Sequence, residues 1–208
     1  MLKLAVLVSG GGTNLQALLD QMDMGGLPNV SVEVVISSNE KAYALQRARS
    51  HNISSTVINR KNYSSQEQFE EAFYGLLTDY QIDLIVLAGF LLILPIKIVR
   101  HFKNRIVNVH PSLIPAFCGK GFYGLKVHEA ALARGVKLTG ATVHFVDEGT
   151  DTGPIILQKS VQVLNGDTKE TLQKRVMEQA EWEILPEAIR LISDNRIEVK
   201  DNLVIIKE

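Results

Sequence analysis

Short aliphatic and β-branched runs alternate with longer amphipathic segments through the first hundred of the 208 residues. This pattern is typical of parallel βαβ units with helices on both faces of a sheet. It predicts an α/β fold built on a doubly wound, mostly parallel sheet, whose ligands bind at the carboxyl ends of the strands. Strands are predicted at residues 4–8, 30–37, 55–58 and 84–88, and helices at 14–22, 41–50, 65–80 and 95–101.

The second half of the chain extends the same pattern. Strands are predicted at residues 105–110, 140–146 and 155–163, and a long helix at 168–193 begins at a cap formed by Asp167 and Thr168, with Glu170 close behind. Residues 196–199 and 203–207 are predicted to form a C-terminal hairpin. Because no repeat, linker or low-complexity tract interrupts the chain, we expect one domain over residues 1–208.

The net charge and the length of the apolar stretches indicate which kinds of binding partner are expected. The chain has 22 Lys and Arg against 23 Asp and Glu, a net charge of −1, which gives no general attraction to nucleic acid or to an anionic membrane. Its longest apolar stretch, residues 84–94, falls short of the roughly 20 residues that a membrane-spanning helix needs. We therefore expect a cytoplasmic protein without nucleic-acid or membrane partners.

A glycine-rich segment, residues 9–14, directly follows the first strand and opens the first helix. Glycines let a ligand approach the backbone, and the free N–H groups of a helix N-terminus favour an anion. The dinucleotide fingerprint is not met because Leu15 stands where its third glycine belongs, and no Gly-Lys-Ser/Thr of a Walker A loop follows. The segment predicts a monophosphate site; an ordinary strand-to-helix turn is the alternative.

The segment Asn108-Val109-His110-Pro111 places two polar side chains at the end of a predicted strand. Asn108 and His110 share a face because strand residues two apart point the same way. An amide beside an imidazole suits the stabilisation of an oxyanion, although a lone histidine could also serve the core alone. In the acidic loop 147–154, we expect Asp151 to lie near His110, between edges of parallel strands, and to raise its pKa.

Other segments are less specific. His144, in the middle of a predicted strand, is interpreted as a supporting core histidine, and Cys118 as unreactive. No spacing of His, Cys, Asp and Glu predicts a metal site. The apolar residues 87–95, interrupted by Gly89, are typical of a core but could also line a slot for a flat ring.

Four segments together resemble phosphoribosylglycinamide formyltransferases, and the resemblance runs from about residue 3 to residue 193. The segments are residues 9–14, 108–115, 140–146 and 151–156. The resemblance implies a Rossmann-like formyltransferase fold with a phosphate-binding half, residues 1–100, and a catalytic and folate-binding half, residues 101–208. It implies transfer of a formyl group from 10-formyltetrahydrofolate to glycinamide ribonucleotide, in de novo purine synthesis, by a monomer or homodimer without a metal.

The resemblance also implies roles for individual residues. Asn108, His110 and Asp151 match the catalytic residues of the family. The phosphate loop corresponds to Gly12, Thr13 and Asn14, with Thr13 where the family often has Ser, and Glu181 matches a glutamate that contacts the ribose. The implied folate contacts are Gln66, Leu91, Leu92, Ile93, Leu94, Asn108 and Val146. Gln66 stands where an arginine is common, and Leu92 where a basic residue is frequent.

Three alternatives remain open at this stage. A formyltetrahydrofolate hydrolase would use water as the acceptor and usually carries an additional N-terminal regulatory domain. A methionyl-tRNA formyltransferase usually carries an additional C-terminal RNA-binding domain. The length of 208 residues and the net charge of −1 favour neither. A non-catalytic nucleotide-binding module would explain the glycine-rich segment but would leave Asn108, His110 and Asp151 without a role.

Overall fold

The computed structural model describes residues 1–208, which form nine strands and seven α-helices. The strands are β1 Leu2–Val8, β2 Val30–Ser37, β3 Ser54–Val57, β4 Leu84–Leu87, β5 Ile106–His110, β6 Leu138–Phe145, β7 Ile155–Gln162, β8 Ile197–Lys200 and β9 Leu203–Ile206. The helices are α1 Thr13–Asp23, α2 Ala44–Ser50, α3 Gln66–Asp79, α4 Ile96–His101, α5 Leu125–Arg134, α6 Lys169–Val176 and α7 Trp182–Ser193. A 3₁₀ turn, Arg60–Asn62, and a π-helical segment, Met177–Glu181, complete the regular structure.

Seven strands form one sheet in the order β3-β2-β1-β4-β5-β6-β7, and β8 and β9 form a separate antiparallel hairpin. The predicted α/β fold, with a mostly parallel sheet, surrounding helices and a C-terminal hairpin, is confirmed. The chain divides into two compact units, Met1–Val107 and Asn108–Glu208. No helix has the length and apolar character required to cross a membrane.

The first unit is built around β1, which pairs in parallel with β2 and β4. Residues 4–8 of β1 are buried, as are all four residues of β4. Such strands are continuous apolar runs because both faces of a parallel sheet are covered. Helix α1 then begins directly after Gly12, so the glycine-rich segment joins a buried strand to a helix N-terminus, as the sequence predicted.

The second unit differs from the expectation at β6 and β7. Asp151 was expected between edges of parallel strands, but β6 and β7 are antiparallel, so this prediction was wrong. Only residues 146–154 join the two strands. A parallel crossover needs about a dozen residues or more, so a connection this short brings the chain back as a hairpin.

The long helix predicted at 168–193 is interrupted by the π-helical segment Met177–Glu181. Its predicted N-terminal cap is confirmed: Thr168 Oγ1 accepts from the Thr171 N–H, while Thr171 Oγ1 accepts from the Thr168 N–H. Asp167 pairs instead with both terminal nitrogens of Arg175, at 2.6 and 2.7 Å. The sequence placed His128 in a helix or at its end but gave no bounds for helix α5, whose buried stripe is short and includes this polar residue.

Candidate active site

Strand β5 ends in the two polar residues that the sequence singled out. Asn108 is partly buried and its Nδ2 lies 3.2 Å from His144 Nε2, on β6. His110 is buried and its Nε2 lies 2.9 Å from the carbonyl oxygen of Phe117. The chain then turns at Pro111, which cannot continue the ladder of strand hydrogen bonds. The end of β5 thus presents an amide and an imidazole, each held by one neighbour.

The neighbours of His144 fix which of its nitrogens carries hydrogen. Its Nδ1 lies 2.8 Å from the carbonyl oxygen of Phe145, which can only accept, so Nδ1 is the donor. In the neutral ring Nε2 is then an acceptor for the Asn108 amide, whereas in the protonated ring Nε2 carries a hydrogen and can stabilise Asp151 Oδ1, 3.7 Å away. One amide hydrogen of Asn108 is held in this way, which orients the group and leaves its second hydrogen for another acceptor.

The same reasoning applies to His110. The carbonyl of Phe117 can only accept, so Nε2 of His110 carries hydrogen, and in the neutral ring Nδ1 does not. Nδ1 lies 3.7 Å from Asp151 Oδ2. A proton taken up by His110 therefore arrives at Nδ1, next to a carboxylate that can form an ion pair with it.

Asp151 is fixed by contacts on both of its oxygens. Oδ2 accepts from the Gly119 N–H at 2.8 Å, and Oδ1 lies 3.7 Å from His144 Nε2. Its side chain is only 12% exposed. Its backbone has φ +59°, a left-handed conformation that aspartate tolerates better than most residues. The loop 146–154 thus directs one carboxylate between two histidines.

Burial and charge act in opposite directions on this cluster. Burial lowers the pKa of His110, and the Phe117 carbonyl and Asp151 offset this only in part. Burial raises the pKa of Asp151, but contacts with His144, the Gly119 N–H and His110 outweigh it and lower the pKa. The expectation that Asp151 raises the pKa of His110 holds for that contact alone, because burial dominates. At neutral pH the free site therefore holds a neutral His110 beside an ionised Asp151.

Comparison with known proteins identifies the family of the chain. The family model described as formyl transferase matches residues 2–189. The chain belongs to the formyl transferase family. A phosphoribosylglycinamide formyltransferase of Haemophilus influenzae is 39% identical over 203 residues, covering 98% of this chain and 92% of that protein.

Solved structures of similar proteins extend the comparison. The crystal structure of glycinamide ribonucleotide transformylase 1 from Symbiobacterium toebii is 43% identical, with a TM-score of 0.93 over 100% of this chain and 95% of that one. A formyltetrahydrofolate deformylase from Pseudomonas syringae pv. tomato is 28% identical, with a TM-score of 0.89 over 100% of this chain and 66% of that one. The formyl transferase fold is therefore shared by transferases and a deformylase.

In the first unit of this formyl transferase, the glycine-rich segment lies against α2. Gly12 has φ +72°, and a Cβ at this position would lie 2.5 Å from the Cβ of Ala44, so only glycine fits. The Gly10 carbonyl accepts from the Ala44 N–H at 3.1 Å, and the Gly11 carbonyl accepts from Arg47 Nε at 2.9 Å. A Cβ on Gly10 or Gly11 would meet nothing within 4 Å. The segment therefore combines a fixed backbone with open space above it.

The remaining predicted binding residues occupy varied surroundings. Glu181 is buried at the end of the π-helical segment, Asn14 is buried in α1, and Thr13 is partly buried. Gln66 is exposed at the start of α3, where it bonds Arg60 and Glu70. The other predicted folate residues range from 91% exposed at Ile93 to buried at Leu94, with Leu91 exposed and Leu92 and Val146 partly buried.

Sequence reasoning underestimated several parts of this site. His144 was interpreted as a supporting core histidine; it is buried, but it also contacts both Asn108 and Asp151. The sequence carried no signal for these contacts, because a histidine in the middle of a strand is as well explained by a place in the core. The contacts of the Phe117 carbonyl with His110 and of the Gly119 N–H with Asp151 could not be predicted, because every residue type has these backbone groups. No group of three or more His, Cys, Asp or Glu side chains is arranged to hold a metal ion.

Gly153 holds the loop that carries Asp151 close to β6. A Cβ at Gly153 would overlap the carbonyl oxygen of Phe145, so we expect Gly153→Ala to lower the free energy of unfolding by about 1–3 kcal/mol. Activity should fall as well, because the loop must shift near Asp151. Denaturant unfolding and steady-state kinetics measure both effects.

Gly75→Ala is the matched control for Gly153→Ala. Gly75 lies inside α3, and a Cβ there would meet nothing within 4 Å. This change should raise the free energy of unfolding by about 0.5–1 kcal/mol without altering activity, because alanine is the better helix former. A Gly153→Ala variant as stable and as active as this control would contradict the assignment.

His128, on α5, gives the fold a pH dependence. It is fully buried, and burial, with a smaller contribution from the charge of His110, lowers its pKa to about 4. Between pH 6.5 and pH 4 the unfolded chain binds this proton and the folded chain does not, so stability falls as pH decreases through this range. The loss should reach about 3 kcal/mol. His128→Gln should reduce the slope, as urea unfolding at a series of pH values would measure; an unchanged slope would contradict this.

Proposed function

We propose that this protein transfers the formyl group of 10-formyltetrahydrofolate to the amine of glycinamide ribonucleotide, a step of de novo purine synthesis. The observation that carries the proposal is the cluster of Asn108, His110 and Asp151 at the end of β5. A carbonyl that becomes tetrahedral needs a hydrogen-bond donor for its oxyanion and a group that moves a proton. The cluster offers one of each, with a carboxylate to balance the charge.

In the proposed reaction, the amine of glycinamide ribonucleotide attacks the formyl carbon. The C–N bond forms, the carbonyl becomes an oxyanion, and the free N–H of Asn108 stabilises it. His110 accepts a proton from the attacking amine at Nδ1, directly or through water, and Asp151 stabilises the resulting imidazolium. The same proton then passes to N10 of the folate as the C–N10 bond breaks, which returns His110 to its neutral form.

The neutral resting state of His110 suits this sequence. Burial disfavours the imidazolium in the free protein, so the ring can accept a proton. The oxyanion that forms beside it adds negative charge to that of Asp151, and the imidazolium becomes favourable only then. The interaction is thus stronger in the transition state than in the ground state, which is the condition for faster chemistry.

Two further groups of residues bind the substrates in this proposal. Gly12, Thr13 and Asn14, at the N-terminus of α1, hold the phosphate of glycinamide ribonucleotide, and Glu181 holds its ribose. The folate is bound by Gln66, Leu91, Leu92, Ile93, Leu94, Asn108 and Val146. The high exposure of Leu91 and Ile93 supports this role, because large apolar side chains exposed together indicate a ligand surface.

The proposal describes a cytoplasmic enzyme with small-molecule substrates. Residues 1–208 act as a single formyltransferase domain, as a monomer or homodimer, with no metal, nucleic acid or membrane in the reaction. The net charge of −1 supports the choice of small-molecule substrates over a polynucleotide, which requires a positively charged surface.

A hydrolase that uses water as the acceptor is the second candidate, favoured by the similarity to the Pseudomonas syringae deformylase. Release of tetrahydrofolate from 10-formyltetrahydrofolate separates the two. Release only when glycinamide ribonucleotide is present supports the transferase, and release in buffer alone supports the hydrolase. If neither acceptor leads to release of tetrahydrofolate, both candidate functions are contradicted. The control variant is His101→Ala, which changes an exposed residue of α4 and should keep full activity.

A further inference from the structure

Arg47, on α2, is a cation to which the proposed reaction gives no role. Its Nε donates to the Gly11 carbonyl at 2.9 Å, and its Nη1 donates to Gln16 Oε1, on α1, at 2.7 Å. The guanidinium also lies over the ring of Tyr43, 5.0 Å from the ring centroid, and the side chain is partly buried. Three neighbours therefore hold one guanidinium between α1, α2 and the glycine-rich segment.

Helix α2 holds two successive carbonyl groups of the glycine-rich segment. The Gly10 carbonyl accepts from the Ala44 N–H, and the Gly11 carbonyl accepts from Arg47. Both peptide groups are trans. In a planar trans peptide group the N–H points in the direction opposite to the carbonyl. The N–H groups of Gly11 and Gly12 therefore both point away from α2.

The direction of these two N–H groups suits the binding of an anion. Successive backbone N–H groups that point the same way attract an anion, and the N-terminus of α1, directly after Gly12, adds to this attraction. Gly10 and Gly11 are exposed, so a ligand can approach them. Because the net charge of −1 gives no general attraction to an anion, such local groups have to supply it. One of the two hydrogen bonds that set this direction comes from a side chain, so mutation can remove it.

We propose that Arg47 is a positioning residue for the phosphate of the acceptor substrate: it holds the Gly11 carbonyl toward α2 and thereby directs the Gly12 N–H at the phosphate. Without this bond the peptide group between the two glycines can rotate, because glycine has wide backbone freedom. Phosphate binding would then have to order the peptide group, which lowers the affinity. The inference rests on the proposed function for the identity of the nucleotide, whereas the direction of the N–H groups can be tested with inorganic phosphate.

The experiment compares Arg47→Ala with Arg49→Ala in the full chain. Both changes remove one positive charge from α2, but Arg49 is exposed and makes no contact with the glycine-rich segment. Formyl transfer is measured to glycinamide ribonucleotide and to the corresponding riboside, which lacks the phosphate. Arg47→Ala should raise KM for the nucleotide about tenfold, the effect of losing one hydrogen bond from a charged group, with kcat within twofold. For the riboside, kcat/KM should stay within twofold, and Arg49→Ala should leave all these values within twofold.

A second measurement needs no catalysis. In protein labelled with ¹⁵N, inorganic phosphate should shift the amide signals of Gly11 and Gly12. The phosphate concentration at half saturation should rise about tenfold in Arg47→Ala and stay within twofold in Arg49→Ala. If Arg47→Ala does not fold, the wild-type protein decides: amide signals of Gly11 and Gly12 that do not respond to phosphate would overturn the proposal.

A merely structural role of Arg47 would give a different pattern. In that case Arg47→Ala would lower the free energy of unfolding and reduce kcat/KM for the nucleotide and the riboside by the same factor, which would overturn the proposal. An equal rise of KM in Arg49→Ala would overturn it as well, because the general charge of α2 would then be responsible. A protein that transfers no formyl group, but whose phosphate affinity falls in Arg47→Ala alone, would refute the proposed function and leave the role of Arg47 intact.

Discussion

His110→Ala is expected to reduce kcat about 100- to 1000-fold, the effect of losing a single group that stabilises or protonates a transition state. The residue holds the proton at Nδ1 in the proposed reaction, and no other side chain in contact with Asp151 Oδ2 can replace it. KM values should change little, because the residues proposed to bind the phosphate and the folate do not include His110. Single-turnover formyl transfer under saturating substrate measures the chemical step directly.

Because His110 is buried, this variant needs a check of its fold. Near-native circular dichroism and a cooperative unfolding transition would show that lost activity is not lost structure. The control is His101→Ala, an exposed histidine in α4 that should keep full activity. Turnover within tenfold of wild type in a folded His110→Ala protein would exclude His110 as the proton carrier.

Asp151→Asn is expected to reduce kcat by about 10²- to 10⁴-fold. Asparagine can still accept from the Gly119 N–H through its oxygen, so the loop should keep its conformation. The negative charge that stabilises a protonated His110 is lost, and the pKa of His110 should fall further, since burial then acts with less opposition. The pH dependence of kcat, together with NMR titration of His110, measures both consequences.

Asp147→Asn provides the matched control for Asp151→Asn. Asp147 lies in the same loop, where its Oδ1 accepts from the Gly149 N–H at 3.0 Å and from Thr152 Oγ1 at 2.6 Å. Asparagine can preserve both contacts, and no contact joins Asp147 to His110 or His144. Activity should stay within a few-fold of wild type. Equal losses in the two variants would indicate that general loop charge, and not the Asp151 carboxylate, sustains the reaction.

The sequence predicted most strands and helices correctly, because the spacing of apolar residues along the chain follows which residues are buried. The continuous apolar runs of β1 and β4 and the glycines before α1 each follow from local rules. The pairing of β6 with β7 was missed because residue types alone did not indicate direction, although the short connection between them does. Loop length was the better guide there.

The sequence predicted the parts of the site that are formed by side chains, but not the contacts that depend on how the backbone folds. Asn108 and His110 share a strand face by simple alternation, so their grouping could be expected. The contacts made by the Phe117 carbonyl and the Gly119 N–H belong to the backbone and depend on how the 111–124 segment folds back. The lowering of the His110 pKa could not be predicted either, because it is caused mainly by burial, which depends on the whole fold.

The π-helical segment Met177–Glu181 has a consequence for evolution and engineering of the C-terminal helices. A segment of this kind accommodates one more residue than a regular helical turn, and each residue rotates a helix by about 100°. Deleting one residue there would let α6 and α7 merge into a uniform helix, but it would turn Glu181 or the apolar side of α7 away from the interior. A one-residue deletion in this stretch would therefore change which side of α7 faces the interior, whereas a substitution would leave the direction of its side chains unchanged.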